Sequence, residues 1–342
     1  MKKPSENRKG EHLRICLNEQ VQFKNVTTGF ENYYFSHQAL PEIDLSRVDL
    51  SSKLFGKPLA APILISSMVG GIGDAADINR NLAKAAQQLG LALGVGSERY
   101  LIESPEVIAT FKVRDVAPDI LLFANLGAVQ LNYGFGVEEC LRAVKAIGAD
   151  ILVLHLNPLQ EALQPAGNTN FAGLIEKIHR VCADLPVPVI VKEVGCGISE
   201  EVAGQLAQAG VAGIDIAGAG GTCWSEIEGR RAESSVAKRV AGAFAGWGIP
   251  TAESLLMARK AAPCLPIIVS GGIRSGLDVA KAIGLGADAA GFAWPLLKPA
   301  TNSAGEVVDY LNEIIEVLKI SMFCIGASNI DELKFTPLLR KH

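Results

Sequence analysis

A chain of 342 residues with a formal net charge of −4 has no positive surplus with which to release counterions from a polynucleotide, so no nucleic-acid partner is expected. Hydrophobic residues at 49% and charged residues at 20% exclude a disordered chain and allow one large core. No apolar run reaches membrane-span length without a Gly, Pro or charge, MKKPSENRKG lacks an apolar signal core, and the seven cysteines are scattered without CxxC spacing, so a cytoplasmic protein with reduced thiols and no membrane partner is expected.

In chain order, residues 1–61 are polar and irregular and are expected to form an N-terminal extension that covers the barrel's bottom or reaches over its top. From residue 62 onward, short β-branched runs alternate with segments of helical period. The runs are ILISSM (63–68), LALGVG (91–96), ILLFANLG (120–127), ILVLHLN (151–157), VIVKEVG (189–195), GIDIAG (213–218), PIIVSGG (266–272) and AAGFAW (289–294). Their near-continuous apolar character suits parallel strands buried on both faces. NRNLAKAAQQLG, VEECLRAVKAIG, SEEVAGQLAQAG and GLDVAKAIGLG read as helices, each closing on a Gly able to take a left-handed cap. The spacing GxGxxG is absent after the first strand, where Gly70-Gly71 stands instead, so the pattern favours an α/β fold of the closed (β/α)8 TIM-barrel type over an open dinucleotide-binding sheet. Residues 219–250 form a long loop after strand 6 and are a candidate lid, and 303–325 read as a final helix.

A barrel of this kind carries its chemistry at the C-terminal strand ends. Those ends supply Ser66-Ser67-Met68, Ser97 with Arg99, Asn125, His155 and Asn157 with Gln160-Glu161, Lys192, Gly220-Gly221-Thr222, Gly271-Gly272 with Arg274, and Ala293-Trp294. SGGIRSG and GFAW place backbone N–H groups near a helix N-terminus, the usual barrel phosphate site, although a glycine pair also serves to turn a chain. Lys192 ends an apolar strand. A lone ammonium there needs an anion or polar ring, such as a flavin whose anionic reduced form it would stabilise, or an ion pair with Glu193. Glu161 suits a general base or a Mg²⁺ ligand, and His155 gains interest from its polar company. Arg8-Lys9 is either an anion contact or a solvated pair.

The motifs RKGEHL (8–13), SSMVGG (66–71), GSER (96–99), NLGA (125–128), HLNPLQE (155–161), VKEVGCGIS (191–199), IDIAGAGGT (214–222), WGIPTAESL (247–255) and SGGIRSG (270–276) together resemble the type 2 isopentenyl-diphosphate isomerases, which are FMN-dependent barrels. The resemblance runs along nearly the whole chain; HLNPLQE and RKxxH are specific, and the glycine motifs are shared with other FMN barrels. It implies interconversion of isopentenyl and dimethylallyl diphosphate, a 1,3-allylic proton shift in which reduced FMN serves as acid and base, NADPH reduces the flavin at the start, and no net redox change follows. It further implies that Arg8, Lys9, Ser97, Arg99, His155, Asn157 and Gln160 hold the prenyl diphosphate and that Glu161 ligates Mg²⁺. Ser66, Ser67, Met68, Val69, Ser97, Asn125, Lys192, Ala217, Thr222, Gly271, Gly272, Arg274, Ala293 and Trp294 would bind FMN, with Gln160, His155 and Glu228 as catalytic candidates. A homo-oligomer, tetramer or octamer, is implied as well.

The chain departs from that pattern at Val69, where Thr is usual, at Glu98, where Gln is usual, and at Ala217 and Cys223, where hydroxyl or amide side chains are common. Two flavin hydrogen bonds are therefore expected to be missing, and a carboxylate at Glu98 repels a diphosphate unless it is metal-bound or turned away. Three rival readings arise. A hydroxy-acid oxidase needs a His base with a nearby Arg in the later strands and is disfavoured, because the histidines are His12, His37, His155, His179 and His342 and none lies on strands 5 to 8. An IMP dehydrogenase-like enzyme would use Cys223 as nucleophile. A non-catalytic flavin binder would account for the departures.

Overall fold

The computed structural model of the chain describes residues 4–73 and 75–341. Eight parallel strands close a barrel in chain order: β1 (Ile63–Ile65), β2 (Ala92–Gly94), β3 (Leu122–Gly127), β4 (Ile151–Leu156), β5 (Val189–Glu193), β6 (Gly213–Asp215), β7 (Ile267–Val269) and β8 (Ala289–Phe292), with β8 pairing back onto β1. Each lies within an apolar run of the sequence and most stop short of its end, because the last residues leave the ladder to form the loops that build the site. The expected helix-closing glycines take left-handed dihedrals, with φ 64° at Gly90, 63° at Gly148, 83° at Gly210 and 106° at Gly286.

Alternation along each strand separates two cores. Ile63, Ile65, Leu122, Ala124, Leu152 and Leu154 face the helices and join the large outer core. Leu64, Phe123, Val153, Ile190 and Ile268 point into the barrel and form a smaller inner core. Two residues further along each strand, the same inward row reads Ser66, Asn125, His155, Lys192 and Ser270. The barrel interior therefore changes from apolar to polar in one layer, which places the polar groups at the C-terminal mouth. Burying one large aliphatic side chain contributes about 1.5–3 kcal/mol, so the lower layer holds the barrel while the upper one is free for chemistry.

The N-terminal extension is ordered and serves both ends, which corrects its reading as irregular. Strands Ser52–Leu54 and Lys57–Leu59 form a hairpin whose Leu54 and Leu59 enter the inner core, and Phe55 packs edge-on against Phe123 with ring centroids 6.1 Å apart. This hairpin plugs the bottom. The helix α1 (Pro4–Asn18) lies at the top against two helices from strand-end loops, Trp224–Arg231 and Trp294–Asn302. The segment 219–250 is likewise largely helical, with Trp224–Arg231 and Ser235–Ala243. The expected final helix is Ala304–Cys324, but Ile330–Phe335 and a strand Leu338–Arg340 follow it, and that strand pairs with Tyr33–Phe35. Among the described residues no helix is long and apolar enough to cross a membrane.

One ionic clamp occurs twice in the fold. Before β3, Arg114 donates to the carbonyls of Ile120 and Gly148 and pairs with Asp150 at 2.6 Å, while Asp150 accepts the Leu122 N–H and pairs with Lys57 at 2.8 Å. Before β7, Arg259 donates to the carbonyls of Leu265 and Gly286 and pairs with Asp288 at 2.7 Å, while Asp288 accepts the Ile267 N–H and pairs with Lys334 at 2.8 Å. The two clamps are four strands apart, so they relate the barrel's halves.

Candidate active site

The polar layer opens into a cavity of about 300 Å³ at the C-terminal mouth, roofed by α1. Every site residue expected from the sequence lines it except Glu228. Three buried polar atoms on its wall, Ser66 Oγ, Gln22 Nε2 and Asn157 Oδ1, have no hydrogen-bond partner among the described residues. An unsatisfied buried group costs about 1–3 kcal/mol, so this wall is built for a polar ligand.

On the β3–β4 side, the loop after β4 turns directly into the short helix Pro158–Leu163, which carries Gln160 and Glu161 on its first turn. Glu161 is buried and accepts from Asn157 Nδ2 at 3.2 Å, the Asn168 N–H at 2.6 Å and Gln164 Nε2. Arg8 donates to Gln164 at 3.3 Å, and Arg99 donates to Asn168 at 2.8 Å. Two guanidinium groups are thus tied by amides to one carboxylate. Among the described residues no cluster of three or more His, Cys, Asp or Glu could hold a metal, so a cation here would take one carboxylate and complete its shell from amide, water and ligand oxygens. That donor set suits Mg²⁺.

Lys9 lies deeper, donating to the carbonyls of Gly70 and Ser97, each at 2.8 Å. Burial, with Arg8 adding to it, lowers its ammonium to about 7, so its charge is conditional near neutral pH. His155 donates from Nδ1 to Asn125 Oδ1 at 2.8 Å, and burial beside Lys192 and Lys9 holds it at about 3. The ring is neutral and its Nε2 is left as an acceptor. Gln160 accepts from Asn157 through Oε1, which leaves its amide N–H groups free as donors. Lys192 donates to the backbone carbonyl of Glu193 at 2.6 Å and lies 3.8 Å from the Asp215 carboxylate. The expected alternative, an ion pair with Glu193, does not form, because the Glu193 carboxylate accepts the N–H groups of Val194, Gly195 and Cys196.

On the β7–β8 side, Gly271 and Gly272 take φ 95° and 81°. A Cβ at Gly271 would fall 2.1 Å from the Gly218 carbonyl, so a side chain is excluded twice, by dihedral and by space. The neighbouring helix Trp294–Asn302 has no side-chain cap at Ala293 and a Pro in its first turn, so its N-terminus faces the cavity with backbone donors to offer. Arg274 stacks over Trp294 at 5.4 Å, and the Trp294 indole donates to the Cys16 carbonyl at 2.9 Å, fastening α1 to this side. This cradle fits a phosphate, and the polar wall between it and Lys192 fits a ring system bearing carbonyl and ring-nitrogen acceptors.

Glu228 is displaced from the role expected for it. Its carboxylate bonds His12 Nε2 at 2.8 Å and Arg231 at 2.6 Å, and it reaches the cavity only through His12. Burial pushes its pKa up, but the His12 and Arg231 contacts prevail and hold it below the ordinary range. Burial lowers His12 despite Glu228, so the pair is a carboxylate accepting from a neutral imidazole. His12 is the residue that sequence reasoning left without a role. It sits four residues after Arg8, on the same face of α1, and its signal was the RKxxH spacing. Gln22 and Gln164 are further lining residues that no motif singled out, and Ser270, which opens SGGIRSG, lines the cavity without having been given a role.

The departures resolve individually. Glu98 is fully buried off the cavity wall, accepts the Asn125 N–H at 3.0 Å, and is pushed by burial to about 8. It is turned away and largely protonated at neutral pH, so it does not repel an anion. Val69 and Ala217 line the cavity with apolar side chains, and Ala217 sits at φ 35° with its N–H directed to Asp215. Cys223 is buried, contacts Ser225 Oγ at 3.1 Å and does not line the cavity, which removes the nucleophile on which the dehydrogenase rival depended.

Comparison with known proteins agrees with this geometry. Residues 164–340 match the family of FMN-dependent dehydrogenases. An isopentenyl-diphosphate delta-isomerase of Nostoc sp. is 52% identical over 98% of this chain and 96% of its own length. One from Cronobacter sakazakii is 49% identical over 97% of this chain and 96% of its own. Among solved structures, a lactate oxidase of Pediococcus acidilactici superposes with a TM-score of 0.64 at 20% identity, covering 97% of this chain and 87% of its own. A mandelate oxidase superposes with a TM-score of 0.64 at 19% identity, covering 98% of each chain. At that identity the two oxidases are alike in fold.

Proposed function

The chain belongs to the FMN-dependent isopentenyl-diphosphate delta-isomerases, and we propose that it moves the double bond of its substrate with reduced FMN and Mg²⁺ bound in the cavity at the barrel mouth. NADPH serves as the reductant that primes the flavin. The observation that carries this reading is the joining, in one cavity, of two anion-binding sides on opposite halves of the barrel. One is the glycine cradle of β7–β8, and the other is the Arg8, Lys9, Arg99, Gln160 and Glu161 group beside β4.

In this reading Ser66, Ser67, Met68, Val69, Ser97, Asn125, Lys192, Ala217 and Thr222 hold the flavin ring, and Gly271, Gly272, Arg274, Ala293 and Trp294 hold its phosphate. Arg8, Lys9, Ser97, Arg99 and Asn157 would bind the diphosphate, and Glu161 would hold Mg²⁺. An unactivated alkene is a very weak base, so protonating it needs an acid placed at the reacting carbon. The chain's own groups suit other tasks. His155 is neutral and accepts through Nε2, Gln160 donates through an amide, and Glu228 is held as a carboxylate behind His12. They orient the substrate and shield the reacting carbons from water. The bound reduced flavin supplies the acid and base. A homo-oligomer, tetramer or octamer, is part of the same proposal.

Purified protein given FMN, Mg²⁺, NADPH and isopentenyl diphosphate is expected to yield dimethylallyl diphosphate. Tight FMN binding with no product from this or any other prenyl diphosphate would instead support a flavin-binding protein without turnover.

A further inference from the structure

The inward-facing ends of β5, β6 and β7 place Lys192, Asp215 and Ser270 side by side beneath the cavity. Lys192 and Asp215 are direct register partners on neighbouring strands. Lys192 and Ser270 line the cavity, whereas Asp215 lies below it at 1% exposure. Asp215 Oδ1 accepts from the Ser270 hydroxyl at 2.6 Å and the Ala217 N–H at 3.3 Å. Its Oδ2 has no hydrogen-bond partner among the described residues and stands 3.8 Å from the Lys192 ammonium.

That separation is too long for a hydrogen bond and short enough for strong Coulomb attraction in a buried setting. Among the described residues Asp215 is the one carboxylate that forms an ion pair with Lys192. His155, its register partner on β4, is neutral, and the Glu193 carboxylate is turned into the backbone N–H groups that follow it. At 3.8 Å and without a hydrogen bond, the Asp215 carboxylate offsets part of the field of the Lys192 ammonium and leaves the rest for a ligand.

We propose that Asp215 is the counter-ion of Lys192 and, through it, sets how strongly the cavity favours the reduced over the oxidised flavin, with Ser270 fixing the carboxylate in place. The proposal rests on the reading that Lys192 serves the flavin. Burial keeps the Asp215 carboxyl above its ordinary range, with Lys192, Ser270 and the Ala217 N–H opposing that rise only in part, so loss of the Ser270 hydroxyl moves it further toward the neutral form.

The test is the midpoint potential of the FMN holoprotein against that of free FMN, measured anaerobically for the native chain, D215N, S270A and K192M. The difference reports the ratio of affinities for reduced and oxidised FMN. D215N is expected to raise that ratio about tenfold, which is about 30 mV upward for a two-electron couple. S270A is expected to move it the same way by less, and K192M to move it down. An unchanged ratio in D215N and S270A alongside a fall in K192M would overturn the role of Asp215. An unchanged ratio in K192M would overturn the reading of Lys192 itself, and the counter-ion with it. Should D215N fail to fold, S270A decides: no upward shift contradicts the proposal.

Discussion

Lys9 shows at the scale of one residue how burial makes a charge conditional. Its ammonium is spent on two backbone carbonyls and titrates near 7 because burial and Arg8 oppose it. Below that pH the group is charged and favours a diphosphate; as pH rises through about 7 the charge and its contribution are lost. The KM for isopentenyl diphosphate is therefore expected to rise above pH 7 with kcat little changed. K9M should show a KM roughly tenfold or more higher at pH 6, the scale of a charge-assisted hydrogen bond, and a flat profile above it. Steady-state kinetics from pH 6 to 8.5 check this; an unaltered KM in K9M would remove Lys9 from substrate binding. A lysine closing an apolar strand was legible in the sequence as a charge in need of an anion or polar ring, whereas Arg8-Lys9, equally readable as a solvated pair, came forward only through the resemblance carried by RKxxH. Their protonation states were not legible, since these depend on desolvation by residues far away in the chain. Glu98 is the clearest case: it looked like a repulsive charge, and burial makes it a largely neutral one.

At the scale of elements, strands were easier to read than the pieces that cover them. Continuous apolar runs such as ILLFANLG mark a strand buried on both faces. By contrast α1 carries mostly polar residues and buries only Leu13 and Ile15 among its described positions, so its helical period is faint. The same holds for Ser235–Ala243, where Ala241 alone is buried. The repeated clamp was also hidden, although GAD recurs at 148–150 and 286–288. An arginine meeting an aspartate some 30 residues away leaves no periodic signal. Burial acts against ionisation of Asp150 and Asp288, but Lys57 and Arg114 at the first and Lys334 and Arg259 at the second, with a strand N–H at each, hold both below the ordinary carboxylate range. Folded pKa values below the unfolded ones stabilise the native state above about pH 4 and lose that contribution as pH falls through the folded values. D150N and D288N are each expected to cost about 1–2 kcal/mol at pH 7, discounted for partial exposure. The double variant should lose less of its stability between pH 5 and pH 3 than the native chain. Urea denaturation at the three pH values reads both effects; equal acid sensitivity in the double variant would dismiss the clamps.

For the whole molecule, one organising feature is the change of the barrel interior from apolar to polar over a single layer. The hairpin at 52–59 seals the bottom, the inner core supports the strands, and the mouth gathers residues from the ends of all eight strands under α1. On the proposed function, reduced flavin at this mouth shifts a proton while the chain's own residues orient and hold. The most direct test is isomerisation of isopentenyl diphosphate in deuterated water under anaerobic conditions, with FMN, Mg²⁺ and a measured quantity of NADPH, followed by NMR and absorbance. The expected result is dimethylallyl diphosphate bearing solvent deuterium, many turnovers for each NADPH consumed, and no turnover while the flavin stays oxidised. Product formed equally well with oxidised flavin, or one NADPH consumed for each product, would contradict this reading.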